Sequence, residues 1–228
     1  MNLHVIIVAG GSGTRLGSPV PKQFLELAGK PVLMHTIERF RDYDPVIKII
    51  TVIPGNHLAS WKDLVEKYSF TIPHLIVKGG MSRFHSVKNG LEHVEGPGIV
   101  AIHDGVRPLV SIGTIRRCFD TARELGNAVP VIPSPDSLRM IDADGKSVVI
   151  DRQQVMQVQT PQVFETGIIR SAYRQEYAAG FTDDATVIER KGTRINLVEG
   201  NRENIKITNP GDLQIAAALL PGILSCRQ

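Results

Sequence analysis

Two hydrophobic periods alternate along this chain. Residues 3–8 form a β-branched run that ends in glycines, which predicts a buried parallel strand feeding a loop. Residues 31–40 carry Val32, Leu33, Thr36, Ile37 and Phe40 at helical spacing. The alternation continues with a strand at 47–53 closed by Pro54-Gly55, a polar helix at 57–68 holding Trp61, Leu64 and Val65, and a strand at 74–77 closed by Gly79-Gly80. Helices are expected at 82–94 and 112–125, the latter stopped by Gly126, with strands at 98–102 and 128–132. Strand and helix in strict turn predict βαβ units: a Rossmann-like, mostly parallel sheet with helices on both faces, in the α/β class.

The pattern breaks at Pro133-Ser134-Pro135, and no helix is readable between 137 and 159. Residues 138–141 and 148–150 read as strands flanking the turn Asp142-Ala143-Asp144-Gly145, a β-hairpin arm inserted at about 134–159. A lone two-stranded hairpin is marginal in water. The arm therefore needs a surface to pack on, either its own domain or, more economically, a second subunit. Beyond Pro161 the sequence predicts helices at 166–178 and 183–191, strands at 194–198 and 204–208, and a last helix at 212–224. With no repeat and no low-complexity stretch, residues 1–228 read as one domain.

Composition narrows the partners. A net charge of +3, from 26 basic and 23 acidic residues without a dense basic run, gives no footprint for nucleic acid. It suits a small anionic substrate equally well. No apolar run spans a bilayer, and Met1-Asn2-Leu3-His4 lacks the basic region and cleavage site of a signal peptide, so no membrane is expected and the cytoplasm is the expected location. Cys118 and Cys226 fit no metal-ligand spacing and read as reduced thiols.

The candidate chemistry begins after the first strand, at Ala9-Gly10-Gly11-Ser12-Gly13-Thr14-Arg15, followed by Pro21-Lys22-Gln23. Gly10, Gly11 and Gly13 let backbone N–H groups approach an anion. The dinucleotide fingerprint fails because Leu16 stands where its third glycine belongs, and the NTPase phosphate loop fails because Thr14-Arg15 replaces its terminal Lys. Arg15 and Lys22 beside a glycine cradle suit a triphosphate and the charge that builds as pyrophosphate departs. Asp104, in His103-Asp104-Gly105-Val106-Arg107-Pro108, ends the fourth strand and is expected to face the same crevice, where a carboxylate beside a triphosphate suits Mg²⁺. Arg107 is placed to pair with Asp104 or to bind a substrate phosphate, and His103 reads as a packed strand residue. Gly80 and Ser86 flank a helix start suited to reading a base edge, although capping explains Ser82 equally well. Lys206, in Asn204-Ile205-Lys206-Ile207-Thr208, is either an edge-strand residue or a ligand contact.

Those motifs, with Gln159-Thr160-Pro161-Gln162, come in an order and spacing that resembles the 2-C-methyl-D-erythritol 4-phosphate cytidylyltransferase family across essentially the whole chain. The resemblance implies transfer of CMP from CTP to a polyol phosphate with release of pyrophosphate. It implies that Arg15 and Lys22 stabilise the transition state, that Arg152 on the arm and Lys206 position the acceptor, and that Asp104 holds Mg²⁺. Ala9, Gly10, Gly11, Gly13, Gly80 and Ser86 would bind the nucleotide, and Arg107, Ser137 and Thr160 the acceptor. It further implies a homodimer whose arms clasp and reach the partner's site. Two positions depart from the family pattern: Gly105-Val106 stands where alanines are usual, and Ser137 where Thr is frequent. Ribitol 5-phosphate cytidylyltransferase shares the loop, the Gln-Thr-Pro-Gln segment and the late lysine, and is the alternative. Sugar-1-phosphate nucleotidyltransferases share the loop but carry a C-terminal repeat domain and no arm. A catalytically silent nucleotide-binding module would have no need of Arg15, Lys22, Asp104 and Lys206 together.

Overall fold

The computed structural model describes residues 1–10 and 20–225. Gly11, Gly13 and Arg15 of the glycine loop lie outside the described residues, as does Cys226. The main sheet runs β10-β7-β11-β6-β1-β4-β5, with β12 on the other edge of β7. Its strands are β1 (Asn2–Val8), β4 (Lys48–Ile53), β5 (Leu75–Lys78), β6 (Gly98–Asp104), β7 (Asn127–Pro133), β10 (Met156–Val158), β11 (Gln162–Glu165) and β12 (Leu197–Glu199). The pairs β5–β4, β4–β1 and β1–β6 are parallel, as the alternation predicts. Short strands β2 (Glu26–Leu27) and β3 (Lys30–Pro31) form a separate ribbon.

Successive strand residues point to opposite faces of the sheet, and the core divides accordingly. Val5 and Ile7 of β1, Ile49 and Ile53 of β4, and Ile99 and Ala101 of β6 pack with α1 (Val32–Tyr43), α2 (Leu58–Lys67) and α4 (Ile112–Leu125). Ile6 and Val8, Ile50 and Val52, and Val100 and Ile102 pack with α3 (Arg83–Leu91), α5 (Thr166–Ala172) and α6 (Asp184–Glu189). The final helix, α7 (Pro210–Ser225), closes a smaller cluster against Leu27, Val32, Val106, Leu109 and Ile207. No helix among the described residues is long and apolar enough to cross a membrane.

Four elements differ from the sequence expectation. Residues 204–208 are not a strand. They run beyond the end of β6, tied by a backbone hydrogen bond from Ile207 N–H to the Val106 carbonyl and by side chains rather than a ladder. Strands β10 and β11 were not expected, and β11 inserts antiparallel between β6 and β7, which therefore do not touch as neighbours. The helix expected over 166–178 ends at Ala172. The arm forms as expected: among the described residues β8 (Leu138–Ile141) pairs only with β9 (Ser147–Ile150), across a turn in which the Asp142 carboxylate accepts from Asp144 and Lys146 N–H. Pairing Leu138 with Ile150 and Met140 with Val148 leaves one apolar face, on which Met140 is 57% and Val148 54% exposed.

Gly126 ends α4 at φ 86°, in the left-handed region, and a Cβ there would sit 2.9 Å from Ile168 Cδ1. Gly126→Ala should lower the unfolding free energy by about 1–2 kcal/mol in urea denaturation. Gly126→Asn should cost less, because Asn tolerates that conformation. Equal stability of Gly126→Ala and the wild type would show that the cap is not strained by a side chain.

Candidate active site

The C-terminal ends of the parallel strands meet at one edge, as the open-sheet rule requires. Register alone puts Val8 opposite Asp104, and Gly105 N–H donates to the Val8 carbonyl one residue further on. Ala9-Gly10 and the carboxylate therefore leave the sheet side by side. The buried Gln23 side chain donates to the Ala9 carbonyl at 2.8 Å, which ties the turn carrying Lys22 to the end of β1.

A cleft of about 290 Å³ opens there, with Ala9, Gly10, Lys22, Gly80, Ser86, Arg83, Asp104 and Lys206 on its walls. Its charged walls are Lys22, Arg83 and Lys206 against the single acid Asp104, a field that favours an anion. Ser86 Oγ accepts from Gly80 N–H at 3.1 Å and donates to the Ser82 carbonyl at 2.9 Å. A Cβ on Gly80 would lie 2.4 Å from His85 Cβ, so only glycine lets the chain pass the start of α3 this closely. A second cleft of about 240 Å³ lies across Arg83, Asp104 and Lys206, which line both, and adds Arg107, Gln159, Thr160, Gln162 and Asp183.

Asp104 is 8% exposed and holds three cations. Lys206 Nζ lies 2.9 Å and Arg107 Nε 3.5 Å from Oδ2, while Arg83 Nε lies 3.6 Å from Oδ1. Burial pushes this carboxyl up, but the charges of Arg83, Lys206 and Arg107 outweigh burial and hold it well below the usual carboxylate range. Arg107 also donates to the Asn204 carbonyl at 2.6 Å, and Asn204 Nδ2 donates to the Thr160 carbonyl at 2.8 Å. These bonds bring Lys206 to Asp104 without a strand.

His103 is wholly buried, and burial pushes it down to about 4, so the ring is neutral at pH 7. Its Nε2 lies 3.0 Å from the Arg107 carbonyl and must donate there, which leaves Nδ1 to accept from the Thr160 hydroxyl at 3.0 Å. Thr160 Oγ1 in turn accepts from Asp104 N–H at 3.1 Å. His103 is thus a packed residue that orients the turn, as the sequence reading has it, and Thr160 acts on Asp104 through its backbone.

The structure joins Ala9, Gly10, Lys22, Gly80, Ser86, Asp104 and Lys206 at the first cleft and Arg107 and Thr160 at the second. It does not bring in Ser137 or Arg152. Both are exposed on the arm, where Arg152 donates to the Pro135 carbonyl. The sequence reading missed Arg83 and its partner Asp184. The guanidinium donates to Asp184 Oδ2 at 2.6 Å, and Tyr173 OH donates to Oδ1 at 2.6 Å. Nothing in one sequence links positions 83 and 184, which the sheet brings together from separate crossovers. Cys118 is free and buried, and burial pushes its thiol up to about 12, which leaves it inert. Among the described residues no group of three His, Cys, Asp or Glu side chains is arranged to hold a metal ion.

Fold and site together define a Rossmann-like α/β protein with an anion-binding crevice at its strand ends. A sequence profile of the family described as 2-C-methyl-D-erythritol 4-phosphate cytidylyltransferase (IspD) matches residues 3–221. The protein of that name from Bacteroides thetaiotaomicron is 51% identical over 220 residues, 96% of this chain and 100% of the relative. The one from Syntrophus aciditrophicus is 41% identical over 94% of both chains. The crystal structure of the Thermus thermophilus enzyme of that name superposes with a TM-score of 0.80 at 32% identity, covering 97% of this chain and 100% of that one. A 4-diphosphocytidyl-2C-methyl-D-erythritol synthase from Anaerococcus prevotii gives 0.81 at 28% identity, covering 96% and 98%. The chain belongs to the 2-C-methyl-D-erythritol 4-phosphate cytidylyltransferase family.

Thr160→Val keeps the shape but leaves both His103 Nδ1 and Asp104 N–H without the hydroxyl between them. The expected loss is about 1–3 kcal/mol in urea denaturation. An unchanged midpoint would mean that the hydroxyl is not the bridge.

Proposed function

We propose that this chain transfers CMP from CTP to 2-C-methyl-D-erythritol 4-phosphate and releases pyrophosphate, a step of non-mevalonate isoprenoid biosynthesis. The observation that carries the reading is the pair of clefts sharing Arg83, Asp104 and Lys206 as their common wall. One cleft suits the nucleotide and the other a polyol phosphate, so donor and acceptor phosphates meet at that wall. Family membership supports CTP and a polyol phosphate as the two ligands.

An acceptor phosphate oxygen attacks the α-phosphorus, and the bond from that phosphorus to the β-bridging oxygen breaks as pyrophosphate leaves. The attacking phosphate is already ionised, so no side chain need remove a proton, and neutral His103 is not asked to. Catalysis then rests on positioning and on cations that meet developing charge. Lys22 lines the nucleotide cleft and meets the charge of the leaving phosphates, a role that the family resemblance also gives to Arg15. Ala9, Gly10, Gly11 and Gly13 cradle them through the backbone, and Gly80 and Ser86 contact the cytosine. Lys206, 43% exposed, is the partner of Asp104 with room to turn toward the acceptor phosphate, and Arg107 and Thr160 line its cleft.

Asp104 is the acid of the nucleotide cleft; with Lys206 turned to the acceptor phosphate, its Oδ2 would be open to Mg²⁺, an ion usually held by one or two carboxylates with substrate phosphates completing the shell. Mg²⁺ so held would neutralise triphosphate charge. The apolar face of the arm supports a homodimer in which Arg152 and Ser137 serve the partner's acceptor cleft, since neither lines either of the two clefts described above. The cytoplasm is the location this reading implies.

Pyrophosphate release from CTP and Mg²⁺ is to be compared with 2-C-methyl-D-erythritol 4-phosphate, ribitol 5-phosphate and glucose 1-phosphate as acceptors. Turnover is expected with the first. Preference for ribitol 5-phosphate would transfer the assignment to the other cytidylyltransferase, and no turnover with any would end the enzyme reading. Lys22→Ala should lower kcat at least about tenfold, roughly 1.4 kcal/mol of barrier. A smaller loss would remove Lys22 from the transition state. Arg152→Ala and Lys22→Ala subunits, each impaired alone, should regain activity when mixed if sites are shared, because one site of the mixed dimer is then intact. No regain would assign the arm to its own subunit.

A further inference from the structure

Arg83 and Asp184 lie outside the residues to which a role in transfer has been given above, yet they form the shortest ion pair at the site, at 2.6 Å. Asp184 is fully buried, and its two oxygens take the Arg83 guanidinium and the Tyr173 hydroxyl, each at 2.6 Å. It opens α6, whose start is locked twice more. Gln162 of β11 donates to Asp183 Oδ2 at 2.8 Å and accepts from Ala185 N–H at 2.8 Å. Arg83 opens α3, the helix that carries Ser86, and Phe84 beside it stacks on Tyr173 and Phe181 at 4.7 and 5.5 Å. Arg83 is therefore held from behind by a carboxylate that cannot move, within packed aromatic rings.

Its other edge meets Asp104, and the contacts divide by oxygen. Oδ1 faces Arg83, whereas Oδ2 faces Lys206 and Arg107. When Lys206 turns to an acceptor phosphate, the Oδ2 side of the carboxylate loses a partner. The Oδ1 side keeps one that is anchored.

We infer that Arg83, braced by Asp184, is a positioning residue that fixes the rotation of the Asp104 carboxylate while Lys206 exchanges partners. It also ties that carboxylate to the helix start that lines the base end of the nucleotide cleft. A guanidinium fork can meet two carboxylates at once; an ammonium, being a point charge, cannot hold both in fixed geometry. The charge of Arg83 alone is thus insufficient, and the brace is required.

The inference rests on the cytidylyl transfer proposed above. Arg83→Lys and Asp184→Asn are to be compared with wild type for kcat, KM for CTP and melting temperature. Phe119→Leu, on the buried face of α4 and outside the lining of both clefts, serves as a destabilised control. Both site variants should lose kcat at least about tenfold with KM for CTP within about threefold of wild type. Phe119→Leu should melt lower with kcat unchanged. Should Asp184→Asn fail to fold, Arg83→Lys carries the test, since it keeps the charge opposite Asp184. A raised KM with kcat intact would overturn the inference by making Arg83 a direct nucleotide contact. Intact kcat with only a lowered melting temperature would overturn it by making the pair purely structural. Either result beside an active wild type leaves the proposed function standing. An inactive wild type overturns both.

Discussion

A single buried carboxylate facing three cations is the constraint on which the rest of this site depends. Asp104 without its partners would be a charge taken out of water at a cost of several kcal/mol, and Arg83, Arg107 and Lys206 without Asp104 would repel one another. Held together they are mutually dependent, and they come from well-separated places: the start of α3, the turn after β6 and the segment after β12. The cluster draws three segments of chain to one point and leaves an excess of positive charge there. That excess is what the proposed transfer asks for, since it relies on positioning and charge neutralisation.

The sheet makes the cluster possible by register. Because β1 and β6 pair in parallel with Val8 opposite Asp104, the chain at Ala9-Gly10 and the carboxylate emerge together. The antiparallel insertion of β11 then brings Thr160 beneath Asp104, with its hydroxyl between His103 and the Asp104 N–H. A parallel strand in that place would have entered from the opposite end of the sheet and left this edge without the Gln159–Gln162 turn. The neutral buried histidine, which would be an odd choice for a base, is explained as one link in that orienting chain.

Much of this was legible in the sequence, for a physical reason. Parallel strands buried on both faces announce themselves as β-branched runs, and their ends by glycine, so β1, β4, β5 and β6 and the helices between them follow from periodicity. Ala9, Gly10, Lys22 and Asp104 follow as neighbours once the sheet is parallel. What did not follow was contact between distant crossovers. Residues 204–208 have the alternating character of a strand, but the alternation reflects Ile205 and Ile207 packing toward α7 while Lys206 turns to Asp104. Strands β10 and β11 are three and four residues long, too short for a period to show. Arg83 sits in a run that capping explains, and its partner lies a hundred residues on. The arm was legible as a hairpin, and its apolar face as a surface in need of a partner.

The most direct measurement is a crystal structure with a non-hydrolysable CTP analogue, Mg²⁺ and the acceptor phosphate bound together. The triphosphate should lie against Gly10, Lys22 and Gly80, the acceptor phosphate in the cleft of Arg107 and Thr160, and the two should meet across Asp104 with Lys206 Nζ moved from the carboxylate to the acceptor. Both ligands in one cleft, or a Lys206–Asp104 pair unbroken beside a bound acceptor, would contradict the division of the site into two clefts that share Asp104.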